Sequence, residues 1–394
     1  MKKLTSFITF SIAFTIFSCS SSDSVSTPTE TYPNVIAAFS GKIDLNNLSN
    51  YATQSKPAYI TKDNTAGNPI TDKGATLGRV LFYDKNLSSN NTISCASCHI
   101  QANAFGDDTD ASDGVNGTTT RHAMRLVNSR FSNETKFFWD ERATTLEAQT
   151  SQPIQNHIEM GFSGTSGDGS ITTLIAKLQA IGYYKELFKY VYGSEEITET
   201  KLQNALAQFI RSIQSFDSKY DTGRAAVQND NQPFSNFTAQ ENQGKNLFLT
   251  PPVFDTSGVR ISGGFGCAGC HAPPEFDIDP NTKNNGVIGV LNGTGIDITN
   301  TKAPSLRDLL NANGTPNGPM MHTGSFATLQ NVIGHYGTIT IAPRNTNLDQ
   351  RLTPNGFGQQ LNINATEVTA LIAFIKTLTG TNVYTDPKWS SPFK

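Results

Sequence analysis

The stretch at residues 92–101 reads TISCASCHIQ, and a second stretch at residues 265–272 reads FGCAGCHA. Each contains two cysteines three positions apart, and a histidine follows the second cysteine directly. Cys-x-x-Cys alone serves redox disulfides and half zinc sites, but neither use explains why a histidine follows both times. The repeated histidine therefore favours a third use of the motif.

Cys-x-x-Cys-His is the sequence to which c-type haem is attached. The two thiols add to the haem vinyl groups, and the adjacent histidine reaches the iron as its proximal ligand. The pattern therefore predicts two covalently bound haems c. The predicted attachment cysteines and proximal histidines are, in chain order, Cys95, Cys98 and His99, and then Cys267, Cys270 and His271.

The N-terminus has the composition of an export signal. Two lysines are followed by an apolar run at residues 7–17, which is too short for a comfortable membrane span, and then by Cys19. This order resembles a bacterial lipoprotein signal at residues 1–18, with Cys19 as the lipidated residue and residues 19–31 as a Ser/Thr-rich linker. The alternative is a plain secretory signal with an incidental cysteine. Both predict export, to the periplasm or the cell surface.

Length, cysteine count and charge limit the number of domains, the use of disulfides and the classes of function. The chain has 394 residues, enough for two domains with sizeable cores. Of its five cysteines, Cys19 is assigned to lipid and four are assigned to haem, so none remains for a disulfide. The net charge of −3 excludes binding to nucleic-acid phosphates as the main activity.

A faint internal repeat accompanies the two motifs. GRVLF at residues 78–82 precedes the first motif, and GKNLF at residues 244–248 precedes the second. Each predicts a short amphipathic helix that ends against a haem. We therefore predict a mainly α fold of two tandem cytochrome c-like domains, each around one covalently attached haem c.

Longer helices and a polar stretch indicate the domain boundaries. Periodicity predicts a helix at residues 199–216 and a closing helix at residues 364–379, which Asn364 and Glu367 would cap. The stretch VQNDNQPFSN at residues 227–236 is typical of a linker. The predicted N-terminal haem domain spans residues 32–226, the C-terminal haem domain residues 237–380, and a tail residues 381–394.

The sequence between and after the motifs resembles a known family. FFWDERA at residues 137–143, LEAQ at 146–149 and EMG at 159–161 are similar to the bacterial di-haem cytochrome c peroxidase/MauG family. APSLR at 303–307 and HTGS at 322–325 extend the likeness over nearly the whole mature chain. The resemblance implies a haem-dependent oxidoreductase of the cytochrome c peroxidase type.

The resemblance also implies roles for three residues around the first haem. Peroxide would react on the face opposite His99, where Glu159 would move a proton between the peroxide oxygens. Gln149 would position the peroxide, and Trp139 would carry electrons between the haems. Taken singly, each has an ordinary structural explanation, as a helix-start carboxylate, a surface amide and a core tryptophan.

The sixth ligand of the second haem is where the sequence departs from the peroxidases. Counting seven residues beyond Leu329 leads to Tyr336, where well-known peroxidases have methionine and MauG-type members have tyrosine. A phenolate stabilises oxidised iron, so we expect a second haem of low potential. His335 is one alternative ligand. Met320 and Met321 are others, although we expect them in a loop away from the ligand position.

Two further departures concern activation and calcium. The removable distal histidine of many family peroxidases has no counterpart at residues 113–117, which predicts an open first haem. Asn317 and Pro319 match positions whose carbonyls bind calcium between the haems of relatives. His122 replaces an asparagine of that site, and an imidazole is a poor calcium ligand. A calcium ion therefore stays an open expectation.

Three functions are compatible with these observations. The first is a peroxidase that reduces hydrogen peroxide to water with electrons from a small donor, a cytochrome c or a cupredoxin, entering at the C-terminal haem. The second is a MauG-like oxidase that uses a high-valent state to oxidise a protein or organic substrate. The third is a non-enzymatic electron carrier or sensor. Relatives are often dimers, so a homodimer is among the expected assemblies, and a lipid anchor is the expected membrane contact.

Overall fold

Helices account for most of the regular structure. The structure is a computed structural model that describes Met1 and residues 31–133, 136–278 and 280–394. The predicted signal peptide beyond Met1, and its cysteine Cys19, lie outside these residues. Among the helices of the described ranges, none is long and apolar enough to cross a membrane. The mainly α prediction is confirmed.

The elements are helices joined mostly by loops, with one short hairpin between α3 and α4 and two between α9 and α10. The first half contains α1 (Pro33–Phe39), α2 (Asp72–Tyr83), α3 (Cys95–Cys98), α4 (Leu146–Thr150), α5 (Ile171–Gln179), α6 (Gly182–Tyr192) and α7 (Glu199–Ser212). The second half contains α8 (Lys219–Ala225), α9 (Ala239–Leu249), α10 (Leu329–Gly337) and α11 (Ala365–Lys376). Three antiparallel pairs join β1 (Asp113–Gly114) to β2 (Gly117–Thr118), β3 (Pro252–Phe254) to β4 (Arg260–Gly263), and β5 (His271–Ala272) to β6 (Asp277–Ile278).

Two helix pairs repeat the same crossing in the two halves. α2 packs against α7, and α9 packs against α11. A Cβ added to Gly78 of α2 would lie 2.0 Å from the carbonyl oxygen of Ala205, and one added to Gly244 of α9 would lie 1.9 Å from that of Ala370. Only glycine permits so close an approach. The repeated GRVLF and GKNLF sequences are helical, as predicted, and each supplies the glycine of its crossing.

Both long helices end earlier than the sequence suggests. Beyond the end of α7, Ile213 is already extended (φ −75°, ψ 105°), and its carbonyl accepts a hydrogen bond from the Asn128 N–H at 3.0 Å. α11 likewise stops before residue 379. Its start is as predicted, because Asn364 Oδ1 accepts from the Glu367 N–H at 3.0 Å and Glu367 Oε2 accepts from the Asn364 N–H at 3.1 Å.

Residues Tyr32–Lys394 form one compact unit, which contains two hydrophobic cores. The first core gathers side chains of α1, α2 and α4–α7, and the second gathers those of α8–α11. Tyr220 in α8 and Phe234 in the predicted linker both belong to the second core and are 0% and 1% exposed. The second core therefore begins before residue 227, and the stretch 227–236 takes part in its packing.

The end of the chain returns to the first core. Val383 and Trp389 are 0% and 2% exposed and lie among its side chains. Backbone carbonyls of the same segment accept hydrogen bonds from two core tyrosines, Tyr51 to Lys388 and Tyr83 to Trp389, both at 2.6 Å. The predicted tail thus completes the core of the first half.

Candidate active site

The first Cys-x-x-Cys-His motif folds as a single helical turn, α3. Ser94 precedes the turn, and its N–H donates to the Ser97 hydroxyl at 3.0 Å, which fixes where the turn begins. His99 follows immediately, with its ring Nδ1 3.2 Å from the Phe105 carbonyl oxygen. Burial lowers the pKa of His99, so the imidazole is neutral. A neutral imidazole held through Nδ1 leaves Nε2 for a metal.

A cavity of about 500 Å³ opens beside the second motif. Cys267, Cys270 and His271 line it, and apolar side chains of α9, α10 and α11 form much of its wall. Burial lowers the pKa of His271 to about 4, which keeps this imidazole neutral as well. Two thiols and an imidazole around an apolar cavity of cofactor size are the donors that haem c requires. The residues present therefore fit a haem attached here.

Tyr336 faces this cavity from α10. Its hydroxyl accepts a hydrogen bond from Asn285 Nδ2 at 3.0 Å, and burial raises its pKa. The neighbouring His335 does not line the cavity, and its Nε2 lies 2.9 Å from the Asn285 carbonyl oxygen. α10 thus presents the phenol, and not the imidazole, to the second motif.

Met320 and Met321 lie in a loop, as expected, and this loop also lines the cavity. Asn285 Nδ2 is 3.1 Å from the Met321 sulfur and 3.0 Å from the Tyr336 hydroxyl, which makes the thioether and the phenol neighbours. The Met320 N–H donates to the Phe326 carbonyl at 2.8 Å, which closes this loop. Both sulfur and phenol donors are therefore available at this cavity.

Trp139 is buried where segments of the two halves meet. Its indole N–H donates to the His122 carbonyl at 2.7 Å, and its own carbonyl accepts from the Thr301 N–H at 2.9 Å. Its ring centroid lies 6.2 Å from that of His322, whose carbonyl accepts from the His122 N–H at 2.8 Å. Trp139, His122 and His322 all line the cavity of the second motif. The structure therefore brings the predicted relay residue next to this motif.

Glu159 lies close to the first motif. Burial raises the pKa values of the Cys95 and Cys98 thiols, and the nearby Glu159 carboxylate adds to both shifts. The β1–β2 hairpin holds the backbone, since the Val115 N–H donates to the Glu159 carbonyl at 3.0 Å. Burial raises the pKa of Glu159 itself, and Arg142 acts in the opposite direction. Within the described ranges its carboxylate forms no hydrogen bond, so it is available to a ligand.

Gln149 is the fourth residue of α4. The helix start is fixed by Thr145, whose hydroxyl accepts from the Ala148 N–H at 3.1 Å. The Gln149 side chain is half-buried. No hydrogen bond joins it to Glu159 in the parts of the chain that the structure describes. The two predicted distal residues are thus not linked directly to each other.

The predicted calcium positions make other contacts. The Asn317 amide donates to the Asp308 carbonyl at 2.8 Å and to the Tyr384 hydroxyl at 2.9 Å. The His122 ring, at the position of the relatives' asparagine, has Nδ1 2.9 Å from the Thr109 carbonyl oxygen. No group of three or more His, Cys, Asp or Glu side chains suited to a metal occurs among the described residues. A calcium ion near Asn317 and Pro319 would depend on carbonyl oxygens and water.

Arg125 is a site residue that sequence reasoning missed. It lines the cavity of the second motif and donates from Nη2 to the Ser305 carbonyl at 2.8 Å. Its Cγ also lies against Gly106, next to the Phe105 carbonyl that holds His99. Burial lowers the pKa of Arg125 to about 10, which still leaves it charged at neutral pH. Arg125 therefore places a positive charge between the two motifs. The only sequence signal for its burial is the apolar stretch around it, AMRLV at residues 123–127.

Known proteins resemble this chain over most of its length. Residues 72–230 match the family described as di-haem cytochrome c peroxidase. The methylamine utilization protein MauG of Methylophilus methylotrophus is 30% identical over 322 residues, which cover 79% of this chain and 84% of that protein. The cytochrome c551 peroxidase of Nitrosomonas europaea is 28% identical, with 78% of this chain and 80% of that protein covered.

Solved structures share the fold. The crystal structure of a MauG-like protein associated with microbial copper homeostasis aligns with a TM-score of 0.66 and 28% identity, covering 86% of this chain and 99% of that one. The diheme peroxidase BthA from Burkholderia thailandensis aligns with a TM-score of 0.59 and 20% identity, covering 87% and 92%. Fold and relatives together define a haem-dependent oxidoreductase. The chain belongs to the di-haem cytochrome c peroxidase/MauG family, as the sequence motifs predict.

Proposed function

We propose that the protein is an exported di-haem peroxidase that reduces hydrogen peroxide to water. Electrons would come from a small redox protein, a cytochrome c or a cupredoxin, and enter at the second motif. The observation that carries the proposal is Glu159, a half-buried carboxylate beside Cys95 and Cys98 with a raised pKa and no hydrogen bond among the described residues. A protein that only carries electrons does not require a carboxylate for proton transfer at this position.

A haem bound at each motif would supply the iron that receives peroxide and stores electrons. Glu159 takes a proton from one peroxide oxygen and delivers it to the other, so that the leaving group is water. Because burial raises its pKa, the carboxyl group exchanges protons closer to neutral pH than an ordinary glutamate does. His99 would bind the iron as the histidine of this motif, and Gln149 orients the peroxide.

Trp139 is the proposed electron relay between the motifs. Its indole is 9% exposed and keeps its proton bonded to the His122 carbonyl. Backbone groups of both halves fix Trp139. The Thr301 N–H donates to its main-chain carbonyl, and the His122 carbonyl accepts from its indole N–H. A buried, oxidisable ring in a fixed position suits electron transfer between the two haem motifs.

The test is Glu159→Gln in holoprotein that carries both haems. Removal of a general acid–base group lowers a rate by about 10²- to 10⁴-fold, so peroxide reduction with a reduced cytochrome should fall by that factor. Glu195→Gln, at an exposed position, is the matched control and should keep the wild-type rate. Equal rates for the two variants would contradict the proposed role. Stopped-flow absorbance provides the measurement.

A MauG-like oxidase is the second candidate, and Tyr336 favours it. Bound to iron as a phenolate, the Tyr336 side chain at the second cavity would stabilise the oxidised state and oppose electron entry from a donor protein. An EPR titration of the resting protein with peroxide distinguishes the two. Under the peroxidase proposal, added reduced cytochrome returns the peroxide-oxidised protein to its resting spectrum at once. Persistence of the oxidised state in the presence of the donor would select the oxidase.

A further inference from the structure

Two tyrosines share one buried carboxylate beside the first motif. The hydroxyls of Tyr183 and Tyr184 both donate to Asp84 Oδ2, at 2.6 and 2.7 Å. Asp84 is 3% exposed, and its Oδ1 accepts from the Asn86 N–H at 2.8 Å. Within the described ranges no lysine or arginine forms an ion pair with Asp84. The Asn86 side-chain amide also donates to Oδ1, at 2.9 Å, so Asn86 holds one oxygen of Asp84 and the two phenols hold the other.

α2 connects this cluster to the first motif. The helix ends just before Asp84 and packs against both α3, which carries the motif cysteines, and α6, which carries the tyrosines. Tyr184 is 0% exposed and lies in the core against which Cys95 packs. Tyr183 is half-buried, and its ring centroid is 4.7 Å from that of Tyr184. The pair thus runs from the motif toward the surface.

A carboxylate within hydrogen-bond distance makes a phenol easier to oxidise. Burial and the negative charge of Asp84 raise the pKa values of both tyrosines, so each keeps its proton until an electron leaves. Once the electron has left, the phenol proton becomes strongly acidic, and Asp84 Oδ2 can accept it across the existing hydrogen bond. Tyr51 and Tyr83 of the same core donate instead to backbone carbonyls, which cannot take up a proton.

We propose that Tyr184, Tyr183 and Asp84 form a redox-active site that supplies one electron to the first haem when no donor protein is bound. The inference rests on the proposed function, because peroxide is the oxidant. In this step the electron leaves the phenol for the oxidised haem, the O–H bond breaks, and the proton moves to Asp84 Oδ2. A neutral Tyr184 radical remains. Tyr183 then gives it an electron while Asp84 returns its proton to Tyr184 and takes up the Tyr183 proton, so the radical passes to Tyr183.

The partner of this site is a small phenolic reductant at the surface beside Tyr183. Such a molecule gives one electron to the Tyr183 radical, and Asp84 returns its proton to the Tyr183 oxygen across the existing hydrogen bond. The reductant's own phenol proton is released to solvent, so that Asp84 is again a carboxylate and a phenoxyl radical leaves. The protein would therefore oxidise small phenols beside Tyr183 and not at the first motif itself. No donor protein is needed for this reaction.

Freeze-quench EPR of the holoprotein, treated with peroxide without a donor, tests the proposal. We expect a tyrosyl radical whose hyperfine pattern changes when the protein contains ring-deuterated tyrosine. Tyr184→Phe should lose most of this signal, and Asp84→Asn, which cannot accept the proton, should weaken it. Tyr83→Phe is the matched control, because its hydroxyl donates to the Trp389 carbonyl, and it should keep the signal.

A second measurement does not depend on Tyr184→Phe retaining its fold. Spin-trap adducts mapped by mass spectrometry should fall on Tyr183 and disappear in Tyr183→Phe. A radical found only at Trp139, or a tyrosyl signal that survives both phenylalanine variants, would overturn the inference. Wild-type peroxide reduction with a reduced cytochrome would still support the proposed function in that case. Protein that consumes no peroxide at all would overturn both.

Discussion

Burial determines the protonation of the individual site residues. It raises the pKa of the Glu159 carboxyl and lowers the pKa values of the His99 and His271 imidazoles. The cause is the same in each case, because removal from water disfavours the charged form of acids and bases alike. The folded chain thus provides two neutral imidazoles for metal binding and a carboxyl group suited to proton exchange.

The raised pKa of Glu159 leads to a prediction about pH. The carboxylate form must take the first proton from peroxide, so the rate should fall as pH decreases through the pKa of this group. That acid limb should lie above about pH 4.3, the ordinary pKa of glutamate. The measurement is the pH profile of the second-order reaction with peroxide. Persistence of the same limb in Glu159→Gln would assign it to another group.

The ligand of the second haem can be tested at two adjacent residues. Tyr336→Met should raise the reduction potential of that haem, because a thioether favours reduced iron where a phenolate favours oxidised iron. The rise should be a sizeable fraction of the roughly 0.8 V over which axial ligands set haem potentials. His335→Gln is the control, since His335 does not line the cavity. A spectroelectrochemical titration in which only His335→Gln shifts the potential would reverse the assignment.

At the scale of the elements, the repeated sequence around Gly78 and Gly244 produces two equivalent helix crossings. Gly78 in α2 and Gly244 in α9 each lie against a partner carbonyl, so the same short sequence produces the same close crossing twice. Gly78→Ala should cost about 1–3 kcal/mol of unfolding free energy, because the added methyl group forces α2 and α7 apart. Gly334→Ala in α10, with nothing within 4 Å of its Cβ, should be neutral or gain up to about 1 kcal/mol. Thermal unfolding distinguishes the two, and equal midpoints would refute the crossing argument.

The elements that the sequence predicts are those whose signals are local. The α11 cap needs only Asn364 and Glu367, three residues apart, and each haem motif is contiguous. The end of α7 is not local, because Asn128, more than eighty residues earlier, captures the Ile213 carbonyl. The same holds at the site, where the place of Arg125 between the motifs depends on how the two halves pack. Features set by residues close together in the chain can be predicted from this sequence. Contacts that form only when the two halves pack together cannot.

For the whole molecule, contacts between the halves create the path between the motifs. Arg121 joins Asp140, beside Trp139, to Asp297 of the second half, with N–O distances of 2.7 and 2.6 Å. The Trp139 backbone is bonded to Thr301 in the same region. The proposed relay is therefore held by both halves and would lose its position if either half shifted.

The return of the chain end gives a prediction for the stability of the whole molecule. Trp389→Ala should lower the unfolding free energy by about 3–5 kcal/mol, because a large side chain leaves a packed core. Phe357→Ala is the control, as its side chain is 54% exposed, and it should change stability little. Calorimetry on holoprotein provides the comparison. Similar midpoints for both variants would mean that the tail adds no stability to the first core.

This return also determines when the protein can finish folding. The N-terminal half emerges from export first, yet Val383 and Trp389, which fill part of its core, follow it much later in the chain. We therefore expect that half to stay loosely assembled until these residues have been exported. We expect Cys95 and Cys98 to stay open to the haem-attaching enzymes throughout this interval, and to become enclosed once the C-terminal residues dock.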